Sequence, residues 1–168
     1  MRLPAFAVVL LLLGGPVASW SPGAAAAEES RLPVPRFVSL RVSEAIMRAG
    51  PGQEYPIRWT YQHVGIPLEV TRDYYDWRRV RDWQGSEGWM HSRVLSSRRT
   101  VMISGEIRTL RDEPEADATP VARLQGPVIG KLLSCPKNSD WCRIEVSAVK
   151  GWLRRSEMWG VYPKEEVE

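Results

Sequence analysis

By type, two cysteines and two histidines are the residues of this 168-residue chain with most chemistry to offer: Cys135, Cys142, His63 and His91. A thiolate nucleophile needs a positioned base and an electropositive setting. Here the pattern points elsewhere. Alternation through WCRIEV puts Cys142 on one face with Ile144 and Val146, and LLSC puts Cys135 with Leu133, so both thiols point inward across one hairpin. Cross-strand neighbours sit about 4.5–5.5 Å apart, within disulfide reach. The expectation is a Cys135–Cys142 disulfide, which on chain-entropy grounds adds about 2.5 kcal/mol. The histidines match no zinc spacing, and no serine elbow or phosphate loop occurs. Without nucleophile, base and orienting group together, the chain is not read as an enzyme, and no catalytic residue, metal or cofactor is expected.

What remains is binding chemistry. Residues 36–99 carry 11 Arg against 7 acids, whereas residues 100–168 carry 10 basic residues against 11 acids. The basic first half also holds aromatics that the second half lacks: Tyr55, Trp59, Tyr61, Tyr74 and Tyr75, edged by Arg48, Arg58 and Arg72. Such a surface can stack on sugar rings or a Pro-rich peptide and pair with carboxylates. The same rings can equally pad a small core or the contact between two modules. A dense basic stripe is missing, so nucleic acid is not an expected partner.

Short elements must position these residues. Residues 37–42, 57–61, 66–70 and 77–83 alternate in period two, with turn signals RAGPGQEYP and QGSEG between them, and no window of 11 residues holds a helical period. At most residues 92–95 make one 3₁₀ turn. VMISGEI, residues 101–107, opens a second set of strands. The order then repeats: DWRRVRDWQGSEGWM at 76–90 is echoed by DWCRIEVSAVKGWL at 140–153, and Arg48 and Pro56 by Arg111 and Pro120. A period near 63 residues means two small tandem modules. Trp77, Val80 and Trp89 of one, and Trp141, Ile144 and Trp152 of the other, recur in place and are expected to form a shared structural core.

Residues 1–27 have a single charge at Arg2, an apolar run from Ala5 to Leu13 and an Ala25-x-Ala27 site, the pattern of a cleaved signal peptide. The run is below the roughly 20 residues of a spanning helix. The division expected is signal peptide 1–27, lead-in 28–35, module 36–95, linker 96–100, module 101–163 and an acidic tail 164–168. Exported to the periplasm or beyond, the mature chain has no membrane contact.

Together RAGPGQEYP, DWRRVRDWQGSEGWMH and DWCRIEVSAVKGWLRRSEMWGVYP resemble the exported bacterial SH3-like (SH3b) domain proteins of the tandem type, over roughly residues 36–163. The resemblance implies an all-β protein of two tandem five-stranded SH3-like barrels, and related SH3b domains accompany cell-wall hydrolases as targeting modules. Two departures stand out: Ile46-Met47-Arg48 replaces the family's Asn-Val-Arg, and the second module keeps only Arg111 and Pro114 of its loop. The first module is thus the expected binding one, for peptidoglycan or its stem peptides. The alternatives are a scaffold that captures an extended peptide of an envelope protein and a partner of a wall hydrolase.

Overall fold

Short alternating runs can bury their apolar side chains only by pairing into sheets. The computed structural model describes residues 32–168; the expected signal peptide lies outside the described residues. The first sheet is built from β1 (Arg36–Leu40), β2 (Ala45–Arg48), β3 (Ile57–Tyr61), β4 (Pro67–Tyr74), β5 (Trp77–Arg81), β6 (Glu87–His91) and β7 (Leu95–Ser96), with a 3₁₀ turn at Ser92–Val94. Its order is β3-β2-β6-β5-β4-β1-β7. The second contains β8 (Thr100–Ile103), β9 (Arg108–Arg111), β10 (Pro120–Leu124), β11 (Val128–Ser134), β12 (Trp141–Val146) and β13 (Val149–Arg154), followed by a 3₁₀ turn at Arg155–Glu157. Its order, β10-β9-β13-β12-β11-β8, repeats that of the first. Against the expected opening strand at 101–107, β8 ends at Ile103, because Gly105 turns the chain at φ 82°. No helix of the described residues is long and apolar enough to cross a membrane.

Each sheet wraps its own core. Val38, Leu40, Met47, Leu68, Val80 and Met90 fill the first, and Val101, Ile103, Leu110, Ile144 and Leu153 the second. Cys135 and Cys142 are disulfide-bonded and fully buried in the second core. The tryptophans expected in these cores are not there. Trp77, Trp89, Trp141 and Trp152 are half-buried on the outer faces, while their neighbours by alternation, Val80, Met90, Ile144 and Leu153, point inward. The glycines decide this parity. A side chain at Gly88 would run into Met47 and lie 2.7 Å from the Arg48 carbonyl oxygen, and one at Gly151 would lie 2.6 Å from that of Arg111. Only glycine lets the strand pass this close, so the next residue, Trp89 or Trp152, must face out.

Residues 32–168 form one compact unit, and the two sheets meet through side chains with no obvious role inside either module. Phe37 packs against Trp159 and Tyr162 at ring separations of 4.9 and 4.6 Å, and the Arg99 guanidinium lies over it at 5.7 Å. Arg99 also donates to both oxygens of Glu165, at 2.6 and 3.0 Å, and to the Gly160 carbonyl. Tyr162 donates through its hydroxyl to Glu69, 2.9 Å away. Consequently β1 is buried on both faces: Ser39, on what reads as a solvent face, donates to the Arg98 carbonyl. The short linker is thus part of the junction.

Burial by itself pushes the Glu165 carboxyl up, but hydrogen bonds from Arg99 and the Tyr162 N–H, with the charges of Arg99 and Arg155, outweigh it and hold the group below its ordinary 4.5. A carboxylate whose folded pKa is depressed stabilises the fold above its unfolded value, and this contribution is lost as pH falls through the folded one. The melting temperature should therefore drop on acidification below about pH 4.5. Glu165→Gln should melt lower at neutral pH and with a shallower acid slope, measured by calorimetry across pH 2–7. An unchanged slope would assign the acid sensitivity to other carboxylates.

Candidate functional site

The outer face of the first sheet is the natural place for a ligand, because alternation sends its aromatic and basic residues there together. Register puts Ile57, Arg48, Trp89, Arg79 and Arg72 in one lateral row across β3, β2, β6, β5 and β4. Directly opposed residues share a face, so these side chains are neighbours. One step along, Trp77 opposes His91, with the rings 5.4 Å apart and tilted. Beside them a cleft of about 400 Å³ opens, lined by Glu44, Ile46, Arg48, Gln53, Trp77, His91 and Arg93. One wall is the turn-rich loop 49–56, held by Arg48, whose Nη1 donates to the Tyr55 carbonyl at 2.8 Å.

The second domain contains the same cleft in smaller form. Arg111, the repeat partner of Arg48, donates to the Ala118 carbonyl at 2.6 Å, and Ser92 and Arg155 donate their N–H to the carbonyls of Asp76 and Asp140 in matching fashion. Its cleft measures about 150 Å³, lined by Ile107, Thr109, Arg111, Ala116, Trp141, Arg154 and Glu157. One side chain differs at the tryptophan itself. Where His91 leans on Trp77, Arg154 lays its guanidinium over the Trp141 ring, 5.0 Å from the centroid. That cation–π contact places a longer side chain on the ring than the imidazole of the first domain.

The residues expected to bind do not gather at a single point. Arg48, Arg72, Tyr74 and Tyr75 belong to the outer face, and Tyr55 packs its ring over Gly50 at the loop. Arg58 donates to the Glu87 carbonyl and borders the same sheet. Trp59 opposes the inward-facing Met47 yet is 54% exposed, because β3 is the free edge of the sheet. Tyr61 is a correction: it is 3% exposed, a core residue, with its hydroxyl donating to Asp82 at 2.8 Å. Burial first, then the hydrogen bond and charge of Asp82, push this phenol far above its ordinary range, so it stays protonated and unavailable to a ligand. Gln53, Trp77, His91 and Glu44 were missed. Trp77 had looked like core, and the others show their relation only when β2, β5 and β6 are laid side by side.

Removing the guanidinium that covers Trp141 should enlarge the second cleft. In Arg154→Ala, hydroxyl-radical footprinting read by mass spectrometry should show faster oxidation of Trp141 with Trp77 unchanged. Equal protection in both proteins would show that Arg154 does not close that cleft.

Comparison with known proteins adds a family match. The model of the bacterial SH3 domain matches residues 41–97 and again 104–160. No protein of curated function matches the sequence. Similar solved structures include an NlpC/P60 family protein from Bacillus cereus ATCC 10987, 14% identical over 73% of this chain and 55% of that one, with a TM-score of 0.33. NlpC1 and NlpC2 from Trichomonas vaginalis are each 12% identical, with TM-scores of 0.33, over 77% and 79% of this chain and 47% and 50% of theirs. The chain spans about half the length of these structures.

Proposed function

This chain belongs to the bacterial SH3 domain family, which accounts for both of its repeats, and from that premise we propose that it is an exported, non-enzymatic binding module whose first domain holds cell-wall peptidoglycan or its stem peptides. The observation that carries this reading is the difference between two clefts of one design: the first measures about 400 Å³, and the second about 150 Å³ with Arg154 laid over its tryptophan. Trp77 offers an aromatic wall, Gln53 a side-chain amide, and Arg93 with the remaining Arg48 donors charge-assisted hydrogen bonds to a peptide carboxylate. Glu44, on the same cleft, suits an amine of the same ligand. A stem peptide carries both groups. A buried disulfide fits an oxidising compartment outside the cytoplasm.

A second reading is favoured by one feature. The edge strand β3 pairs with β2 alone among the described residues and shows Ile57 and Trp59 more than half exposed. An extended segment of an envelope protein can add to such an edge as a further strand. The two readings use different residues.

Co-sedimentation with isolated peptidoglycan sacculi separates them. The protein from residue 28 onward should pellet with sacculi, less so as salt is raised. His91→Arg, which copies the second domain's closure, should weaken binding by about fivefold or more, while Trp59→Ala should bind as the parent does. Loss with Trp59→Ala but not with His91→Arg would move the site to the β3 edge. No pelleting at any salt would remove the wall as ligand.

A further inference from the structure

The turn between β4 and β5 contains a residue ill suited to it. Tyr75 sits at φ 46°, the left-handed region that Gly and Asn tolerate and that strains a bulky side chain. The corresponding connection of the second domain is longer, residues 135–140, and its left-handed residue is an asparagine, Asn138 at φ 63°. Burial does not explain the tyrosine: at 72% it is the most exposed of the large hydrophobic side chains on the described surface. A strained residue whose ring the fold does not use points to another use for that ring.

Its neighbours suggest which. Tyr75 stands edge-on to Tyr74 at 4.9 Å, and Tyr74 edge-on to Trp89 at 6.2 Å, giving three rings in sequence along the outer face. Beside them Arg72 directly opposes Arg79. Like charges facing each other across a sheet repel. Arg79 is paired with Glu87 at 2.7 Å, but Arg72 has no ion-pair or hydrogen-bonding partner among the described residues. An anion drawn to Arg72 would relieve that repulsion. The second domain keeps the middle of the row as Arg143, Trp152 and Arg111. It has Ser134 opposite Arg143 in place of Arg72, and Asn138 and Ser139 where the tyrosines stand.

We propose that Tyr74, Tyr75 and Trp89 with Arg72 form a subsite for an acidic glycan: the rings take the C–H face of a pyranose, and Arg72 takes a carboxylate carried by that sugar. The subsite rests on the wall-binding reading and adds to the cleft a place for stretches of wall glycan whose sugar carboxylates carry no peptide. Strain, exposure, an unpaired guanidinium and an aromatic run coincide here and in one domain only.

The test uses peptide-free wall glycan strands with free carboxylates, a neutral chitin oligosaccharide and an oligogalacturonate, titrated by calorimetry. The parent should bind the wall strands better than the neutral sugar. Oligogalacturonate binding as tightly as the wall strands would overturn the wall strand as the ligand. Tyr75→Asn should weaken binding by about tenfold while raising the melting temperature by about 2–4 °C, because the turn gains a residue that accepts its conformation. Arg72→Gln should abolish the preference for the acidic strand while raising the melting temperature slightly, because the repulsion with Arg79 is gone. Parent-like binding in both variants, or failure of the parent to bind peptide-free strands while it still pellets with sacculi, overturns the subsite and leaves the wall-binding reading intact. A lower melting temperature for Tyr75→Asn would overturn the claim of strain.

Discussion

The close passage of one strand over another at Gly88 and Gly151 is the constraint on which the architecture depends. At each of these points the carbonyl of the repeated arginine occupies space that a side chain would need. Period-two geometry then allows no choice for the following residue. Trp89 and Trp152 go outward, and with them Arg79 and Arg143, their direct cross-strand partners. A requirement for closing a small barrel therefore creates an outer face bearing an aromatic ring between two arginines. The sheet's exterior inherits its chemistry from a packing need inside.

Once that frame exists, the two domains diverge by few changes. Arg48 and Arg111 tie down the same loop by the same hydrogen bond, so their recurrence is structural at least in part. At the next row His91 and Arg154 differ in length and reach, and the longer side chain covers its tryptophan. The second domain instead supplies a disulfide and a tail that reaches the junction through Trp159, Tyr162 and Glu165. Its contribution is to bury the outer side of β1. Of the two repeated clefts, the first domain's is the larger.

Much of this could be read before any coordinates. Short alternating runs and the 63-residue echo suffice for an all-β tandem; the disulfide forms as expected, but Leu132 rather than Leu133 faces the core, and a bulge between Leu132 and Ser134 brings Cys135 inward. The inside-or-outside assignment of the tryptophans was not legible from alternation alone, since WRRVR and EGWMH offer an apolar residue on both faces. Gly88 held the answer, but its reason, the carbonyl of Arg48, is 40 residues away in sequence. Tyr61 was misread for a similar cause: its partner Asp82 lies 21 residues on. Junction residues such as Phe37 and Tyr162 carry no local mark, because only the arrangement of both sheets brings them within contact.

Asymmetry between repeats is therefore the more informative signal for function. Features kept in both copies, such as the glycine, the outward tryptophan and the loop-holding arginine, answer to the barrel and would persist without a ligand. Features present in one copy and unfavourable to it answer to something else. An aromatic ring at a left-handed turn position, and a guanidinium set against another with no acid assigned to it, lower the stability of the free protein. Both lie on the first domain's outer face, within a few residues of the open cleft. The ligand proposed for this face would give such costs, held beside the larger cleft, their reason.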